Sequence, residues 1–365
     1  MKKNTVDYKE LASLIEINSY TGNKAGVDAS GQLVARWMEA LGYRTQRHSR
    51  ETLGDHLHFC VPRGPGKKIL LLGHLDTVFP KGEFEGFRED DQWIYGPGVC
   101  DMKGGIYVAL CALRTIHRER GRVDNIDMLL VSDEETGSDD SKLVTTKLAE
   151  QYDACLVFEA AGKNNEVVTA RKGVGTIYLE LTGKAAHAGN NYHLGCNANL
   201  AAAHLLIALT ALTDLEQGTT VNVGQINGGI GANTISPSAR LAVEFRFTCA
   251  SERDRLMSSI DQIISQSVVE GVTIAMTGGL QRDVMTTSES QQALLDEIES
   301  ILGYPLPTEQ RGGVSDANTI SAAGVATLDG FGPFGDGDHT HHERASKASF
   351  VQRIEQVTEI LRHFQ

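Results

Sequence analysis

The sequence predicts an α/β protein into which a smaller α+β domain is inserted. Amphipathic helices alternate with short apolar runs in the first half of the chain, a pattern typical of a mixed, largely parallel sheet covered by helices. From residue 175 to residue 279 the order becomes β-α-β-β-α-β, which is that of a ferredoxin-like domain. The α/β pattern then returns, so we expect one domain at 1–174 with 280–365 and an inserted domain at 175–279.

The apolar runs of the first domain predict strands that are buried on both faces. The runs at 69–72 and 128–131 are apolar at every position, as expected when helices cover both sides of a parallel sheet. Ligands of open α/β sheets bind beyond the carboxyl ends of the strands, so residues that follow these runs are candidate site residues. In chain order we predict helices near 7–18, 28–41, 103–118 and 141–150, and strands at 69–72, 128–131 and 155–158.

The inserted domain begins with a strand in which apolar and polar residues alternate. Ile177, Leu179 and Leu181 share one face, so we expect one side of this sheet to be buried and the other exposed. The remaining elements are predicted as helices near 197–213 and 251–268 and strands near 220–226, 239–248 and 272–276. Beyond the insertion we predict helices near 288–302, 315–323 and 346–364.

Composition and charge argue against several classes of protein. With 41% hydrophobic and 22% charged residues, the chain of 365 residues has the composition of a globular protein, and its length suggests two domains. A formal net charge of -13 argues against nucleic acid or an anionic membrane surface as the main partner. The first residues lack the apolar core of a secretory signal, and the six cysteines form no C-x-x-C pair. We therefore expect reduced thiols and a cytoplasmic location.

Two short motifs carry metal-ligand chemistry. His74 and Asp76, in G-H-L-D-T-V, directly follow a predicted strand, so the imidazole can bind a metal while Asp76 accepts the other ring N–H. Asp101 stands in the glycine-rich segment G-P-G-V-C-D-M-K-G-G, where a carboxylate with two oxygens can bridge two cations. The alternatives are a chance surface pair for the first motif and a helix N-cap for the second.

Acidic and histidine-rich segments add to these motifs. Glu134 and Glu135, in V-S-D-E-E-T-G, follow the second apolar run, so one can bind a metal while the other acts as a general base. Glu159 follows the third run, and the segment D-G-D-H-T-H-H-E at 336–343 contains three histidines. A solvated acidic surface is the common alternative for such a segment. Five ligand-rich segments in one α/β domain nevertheless favour a shared metal site.

Together these segments resemble a known family of hydrolases. The motifs are G-H-L-D-T-V-F-P-K-G, Y-G-P-G-V-C-D-M-K-G-G, S-D-E-E-T-G, G-K-A-A-H-A-G and a final H-T-x-x-E, in order between about residues 70 and 345. In them the chain is similar to metallopeptidase family 20 of clan MH, which includes glutamate carboxypeptidase, acetylornithine deacetylase, succinyl-diaminopimelate desuccinylase and aminoacylase. The resemblance implies a zinc-peptidase-like catalytic domain and an inserted dimerisation or lid domain.

The resemblance also implies roles for particular residues. His74 and Glu159 are implied to bind one zinc ion, Glu135 and His339 a second, and Asp101 to bridge the two. Glu134 is implied to act as the general base, and Asp76 as the hydrogen-bond partner of His74. His341 and His342 are rivals of His339, but the family's histidine stands four residues before a glutamate, which selects His339 with Glu343. Two divalent cations are thus implied, with zinc first and cobalt or manganese as alternatives.

Three further residues are implied to act on the substrate. His187, in G-K-A-A-H-A-G, resembles a histidine that the partner subunit contributes to bind the oxyanion in relatives, so a homodimer through the inserted domain is implied. Arg246, in V-E-F-R-F, and Asn233, in G-A-N-T-I-S-P, resemble residues that grip the substrate. The alternatives are an ordinary loop histidine for His187 and a solvated sheet-face arginine for Arg246.

The function that the resemblance implies is hydrolysis of an amide or peptide bond next to a free carboxylate, as in a glutamate carboxypeptidase. Glu159, rather than an aspartate, resembles the carboxypeptidase and desuccinylase members, and the expected substrate is a short peptide or a small acyl-amino acid. An N-acyl-amino acid deacylase and a carbamoyl amidohydrolase are alternatives on the same fold. A non-catalytic binding protein is an alternative of another class, although every implied ligand and base position holds a competent side chain.

Overall fold

The computed structural model describes residues 6–266 and 269–364, and the chain divides into two compact units. The first unit comprises Met1–Ala170, Thr287–Arg311 and Ser315–Gln365, and the second comprises Arg171–Thr286 and Gly312–Val314. The domain boundaries expected after residues 174 and 279 fall inside strands of the second unit.

The helices lie close to the positions that the sequence predicts. They are α1 (Lys9–Ile15), α2 (Lys24–Glu39), α3 (Lys103–Arg120), α4 (Ser141–Ala149), α5 (Ala198–Thr210), α6 (Ala250–Ser265), α7 (Glu289–Leu302), α8 (Asp316–Ala322) and α9 (Lys347–His363). The predicted helix over 251–268 ends at Ser265, and residues 267 and 268 lie outside the described part of the chain. Across the described residues, none of the helices has both the length and the apolar character needed to cross a bilayer.

The strands include all those that the sequence predicts and several shorter ones. They are β1 (Arg44–His48), β2 (His56–Cys60), β3 (Ile69–His74), β4 (Arg88–Glu89), β5 (Trp93–Tyr95), β6 (Ile126–Val131), β7 (Ala154–Val157), β8 (Val167–Arg171), β9 (Gly173–Thr182), β10 (Thr220–Gly228), β11 (Ser238–Phe247), β12 (Thr273–Arg282), β13 (Thr308–Arg311), β14 (Ala326–Leu328), β15 (Gly335–Asp336) and β16 (Arg344–Ser346).

The main sheet of the first unit has the strand order β1-β2-β6-β3-β7-β14. The pairs β6–β3, β3–β7 and β7–β14 are parallel, whereas β1 and β2 add an antiparallel edge. Every residue of β3 and β6 is buried, because helices cover both faces of these central strands. These observations confirm the prediction of a mixed, largely parallel sheet.

The first turn of α3 lies very close to the residue that follows β7. Gly105 lies in the first turn of α3, and a Cβ atom there would be 1.9 Å from the carbonyl oxygen of Phe158. A Cβ on Gly104 would be 2.1 Å from the carbonyl oxygen of Val99. Only residues without a side chain permit this approach, which keeps the start of α3 beside the segment that follows β7.

A small sheet in the first unit has the order β15-β16-β5-β4. Its strands contain two or three residues each, and the sequence did not predict them. The histidine-rich segment connects β15 to β16, so the antiparallel pairing of Gly335 with Ala345 fixes both ends of that loop.

The second unit is a four-stranded antiparallel sheet with the order β10-β11-β9-β12, joined to α5 and α6. Ile177, Leu179 and Leu181 are buried beneath the helices, as their alternation predicts. Along β11 the odd-numbered residues are buried, and Arg240 and Arg246 project from the other face. This is the predicted ferredoxin-like arrangement.

Candidate metal centre

Three adjacent parallel strands bring ligand-type side chains to one end of the main sheet. His74 is the last residue of β3, and it pairs with Val131, the last residue of β6. Glu134 and Glu135 follow β6 in a short 3-10 turn, while Glu159 follows β7 by two residues. The carboxyl ends of β6, β3 and β7 are neighbours, so these side chains are placed together by strand order alone.

Asp101 lies between two histidines in the loop before α3. Its Oδ1 atom is 3.1 Å from Nε2 of His74, and its Oδ2 atom is 3.3 Å from Nε2 of His339. Met102, not Asp101, occupies the N-cap position of α3, so the helix-cap alternative does not apply. Each carboxylate oxygen therefore faces a different imidazole, as a bridging ligand requires.

A further carboxylate lies beside each histidine. Oε1 of Glu159 is 3.7 Å from Nε2 of His74, and Oε2 of Glu135 is 3.2 Å from Nε2 of His339. Ligands bonded to one tetrahedral metal at about 2.0–2.1 Å lie roughly 3.3 Å from each other. Imidazole and carboxylate donors at this spacing fit a pair of borderline divalent cations, so the five residues that the sequence singled out as ligands do meet in one place.

Burial, hydrogen bonds and neighbouring charges shift the pKa values of these groups. Burial raises the pKa of Glu135 to about 8, and the negative charge of Asp101 adds to this effect. Burial and the same charge also raise the pKa of Glu159 well above its usual range. Burial opposes ionisation of Asp101, but hydrogen bonds with His339 and His74 hold the pKa of its carboxyl well below its usual range. A bound cation would replace the protons that otherwise offset this crowded negative charge.

Asp76 connects the end of β3 to the turn after β6. The Nδ1 atom of His74 is 3.0 Å from the backbone carbonyl oxygen of Asp76 and 3.5 Å from its carboxylate, so the closer acceptor is the carbonyl rather than the predicted carboxylate. The carboxylate accepts hydrogen bonds from the hydroxyl of Thr21 and from the amides of Glu134 and Glu135. One buried side chain thus orients both the histidine and the acidic turn.

Glu343 supports the Asp101 loop, a role that the sequence did not reveal. It is 1% exposed, and its carboxylate accepts hydrogen bonds from the amides of Gly98, Cys100 and Asp101. Burial raises the pKa of Glu343 to about 8, although these amide contacts oppose the rise. The only signal in the sequence was the glutamate of the final H-T-x-x-E motif.

The histidine-rich loop directs one imidazole towards the carboxylates. His339 has a φ of 60°, which few residues other than glycine adopt, and its side chain is 57% exposed. Hydrogen bonds with Asp101 and Glu135 raise the pKa of His339 to about 11. His341 instead stacks on Phe84 with ring centroids 5.8 Å apart, and it lines a cavity of about 550 Å³ together with His342. The geometry therefore favours His339 over its two rivals.

The three predicted substrate residues all lie in the second unit. His187 is exposed, and its Nδ1 atom accepts hydrogen bonds from the amides of Gly189 and Asn190, both at 3.2 Å. Because Nδ1 is an acceptor, the neutral ring carries its proton on Nε2 and can donate it. Asn233 is adjacent, since its carbonyl oxygen accepts a hydrogen bond from the amide that follows His187.

Arg246 is held on the exposed face of β11. Its guanidinium contacts both carboxylate oxygens of Glu244 at 2.9 and 3.1 Å and donates to the carbonyl oxygen of Gly312 at 2.7 Å. A guanidinium has five N–H donors, so these contacts fix its plane and leave donors for a carboxylate ligand.

The fold and this ligand set define the class of the protein as a metal-dependent hydrolase. The model of Peptidase family M20/M25/M40 matches residues 70–363, and the chain belongs to that family. This match confirms the family resemblance of the sequence motifs.

Individual relatives agree with this membership. Carboxypeptidase G2 of Pseudomonas sp. (strain RS-16) is 29% identical over 354 residues, which cover 94% of this chain and 84% of that protein. Succinyl-diaminopimelate desuccinylase of Alkalilimnicola ehrlichii is 26% identical over 380 residues, which cover 94% of this chain and 96% of that protein.

Solved structures show the same fold. A tripeptidase of Staphylococcus aureus has a TM-score of 0.82 at 22% identity and covers 99% of each chain. A Bacillus subtilis protein described as a dinuclear metal binding peptidase of the M20 family has a TM-score of 0.68 at 12% identity, covering 96% of this chain and 95% of that chain. At these identities the likeness extends to the fold alone.

Replacing Glu343 with Ala is expected to weaken metal binding about 10- to 100-fold, because the amides that hold Asp101 in place lose their acceptor. Competition of the metal-free protein with a chromogenic chelator measures this affinity. Asp336→Ala is the matched control, since Asp336 is an exposed carboxylate at the other end of the same histidine-rich segment and pairs with Arg344. Equal affinities in the two variants would contradict the role of Glu343.

Proposed function

We propose that the protein is a two-metal carboxypeptidase that hydrolyses the amide bond next to a free carboxylate. The observation that carries the proposal is the position of Asp101, each of whose carboxylate oxygens faces a different histidine that has a glutamate beside it. The similarity to carboxypeptidase G2, over 94% of the chain, supports this choice of reaction.

The metal ligands in this proposal form two sets that share one residue. His74 and Glu159 would hold one cation, His339 and Glu135 the other, and Asp101 would contact both. Imidazole and carboxylate donors suit zinc, although cobalt and manganese accept the same donors. Bound divalent ions supply Lewis acidity, which activates water and polarises a carbonyl group.

Glu134 is the proposed general base. Its amide is fixed by Asp76, and its neighbour Glu135 is directed to His339. Besides burial and the charge of Asp101, the charge of Glu134 contributes to the raised pKa of both Glu135 and Glu159, so its carboxylate lies within electrostatic range of both ligand sets. In this position Glu134 takes a proton from water and later delivers it to the leaving nitrogen.

The second unit would supply the groups that bind the substrate and the oxyanion. The protonated Nε2 of His187 is the proposed donor to the oxyanion, contributed by the partner subunit of a homodimer as the family resemblance implies. Arg246 and Asn233 are the proposed contacts of the substrate. The dimer proposal is supported by the exposed apolar residues Leu200 and Ile207 on α5 and by β10, which is an edge strand.

The proposed location is the cytoplasm. All six cysteines are free, as is expected of thiols in a reducing compartment.

Deacylation of an N-acyl-amino acid is the second candidate, because a desuccinylase is similar over 94% of the chain. The same ligands and base would serve both reactions, and a carbamoyl substrate would need only a different group on the acyl side. A carboxypeptidase releases the amino acid together with an amino acid or peptide, whereas a deacylase releases it together with a carboxylic acid. Analysis of the products therefore distinguishes these two candidates.

The test of the proposed function is a panel of C-terminal dipeptides, N-acyl-amino acids and N-carbamoyl-amino acids. Each is assayed with zinc-loaded protein and with protein stripped by a chelator. We expect metal-dependent release of one amino acid from a peptide, with glutamate and aspartate as the first residues to examine. Turnover of acylated or carbamoylated substrates alone would select an alternative reaction, and no turnover across the panel would favour a binding protein.

Glu134→Ala is expected to lower kcat by about 10² to 10⁴ on the best substrate of that panel, because proton transfer loses its acceptor. Metal content, measured by mass spectrometry, is expected to stay the same, since Glu134 is outside the proposed ligand sets. The Glu135→Ala variant is the comparison, because it should lose metal as well as turnover. Wild-type kcat in the Glu134→Ala variant would refute the assignment.

Arg246→Ala is expected to raise KM about 10- to 100-fold, because a charge-assisted contact with the substrate carboxylate is lost. Arg240→Ala is the matched control: Arg240 lies on the same face of β11 and is 62% exposed beside Glu180. Steady-state kinetics of both variants on one substrate measure the two KM values. A similar KM in the two variants would remove Arg246 from the substrate site.

A further inference from the structure

A second group of metal-ligating side chains lies in the first unit, at the opposite end of β6 from the acidic turn. β2 pairs with β6 so that Phe59 is opposite Met128, and the next position along brings Cys60 beside Asp127. The amide of Val61 donates to the Asp127 carboxylate at 2.9 Å, which fixes this pairing. His58 precedes Cys60 by two residues and so shares its face of the sheet.

The donor atoms of this group have the spacing of a metal site. Nε2 of His58 is 3.6 Å from Sγ of Cys60 and 3.7 Å from Oδ2 of Asp127. The ligand atoms of all three residues lie within 4.8 Å of one another. Bonds of about 2.3 Å to sulfur and 2.0–2.1 Å to nitrogen or oxygen place tetrahedral ligands roughly 3.3–3.6 Å apart. Sγ of Cys60 is also 3.4 Å from Nδ1 of His58, so a small rotation of the side chains would direct all three donors to one ion.

Neighbouring polar groups hold the cluster in place. His58 and Asp127 are each 2% exposed, and the hydroxyl of Tyr152 is 2.7 Å from Nε2 of His58 and 2.8 Å from Oδ2 of Asp127. Arg63 donates to the same aspartate oxygen at 3.1 Å. On metal binding, Tyr152 would lose its contact with His58 and keep the one with Asp127, which then orients the ligand carboxylate.

The cluster opens into a cavity of about 530 Å³. Cys60, His58 and Asp127 line it together with Arg44 and Lys147. The cavity provides a path for an ion to enter, and its cationic lining favours an anion as the remaining ligand.

We propose that His58, Cys60 and Asp127 form a site for zinc or another thiophilic divalent cation, completed by a small anion from the cavity. On binding, the S–H bond of Cys60 breaks, the sulfur bonds to the cation and the proton leaves to solvent. Asp127 precedes Val131, the last residue of β6, by four residues, or about 13 Å of strand, so this site and the candidate metal centre lie at opposite ends of β6. The ion would cross-link β2 to β6 and so secure the antiparallel edge of the main sheet.

A cobalt titration of the whole protein tests the proposal independently of the proposed function. None of the ligands proposed for the metal centre contains sulfur, so thiolate-to-cobalt absorption in the near ultraviolet separates a cysteine site from that centre, and the Cys60→Ser variant assigns it to Cys60. We expect this absorption to rise to saturation as cobalt is added to reduced, chelator-stripped wild type, with a final intensity that corresponds to one thiolate-bound ion per chain. Cobalt that enters the proposed metal centre, up to two further equivalents, adds no such absorption. The thiolate absorption should be absent in Cys60→Ser and preserved in Cys111→Ser, which changes another partly buried cysteine of the same unit.

No thiolate absorption in wild type, or absorption that persists in Cys60→Ser, would overturn the proposal. Because the Cys60→Ser variant could fail to fold, alkylation of wild-type Cys60 provides a second measurement. Zinc should slow its modification by iodoacetamide about tenfold or more, as expected of a metal-bound thiolate, whereas Asp127→Asn should reduce that protection. Equal alkylation rates with and without zinc in wild type would also overturn it.

Discussion

Electrostatic repulsion among carboxylates at one end of a parallel sheet is the interaction on which the rest of the structure depends. In the described part of the chain, the carboxylates of Asp101, Glu135 and Glu159 lie near the imidazoles of His74 and His339, so their excess negative charge favours a bound cation. Backbone amides hold these carboxylates in position. The Asp76 side chain accepts hydrogen bonds from two amides, and the Glu343 side chain accepts hydrogen bonds from three. These two buried acids do not coordinate in the proposed site, yet they determine where the coordinating groups are held.

The sequence predicted the parts of the fold that bury a regular apolar pattern. The runs at 69–72 and 128–131 became β3 and β6 because only a strand covered on both faces suits such a run. The strands β1 and β2 were not predicted, since all five residues of β1 are polar and histidines alternate with apolar residues in β2. The two- and three-residue strands of the small sheet form because segments that are distant in the sequence pair with each other, and a local sequence pattern cannot predict such pairing.

The sequence predicted which side chains meet at the candidate site, but not the backbone contacts that hold them there. Residue types and their positions after strands, joined to the family resemblance, selected the ligands that the structure brings together. The contacts of Glu343 and Asp76 with backbone amides were not predictable, because an amide donor has no side-chain identity and leaves no spacing in the sequence. The helix-cap alternative for Asp101 was settled only by the backbone, which makes Met102 the cap.

The position of the inserted unit has a consequence for the order in which the protein is made. Arg171 and Met285 pair through their backbones, so the chain enters and leaves that unit side by side. The groups at 74, 101, 135 and 159 precede the insertion, whereas His339 follows it. A ribosome-bound chain that has completed only its first half thus lacks His339 and also lacks β14, α7, α8 and α9 of the first unit. Because the proposed metal site includes His339, translation itself would delay its completion until nearly the whole chain has emerged.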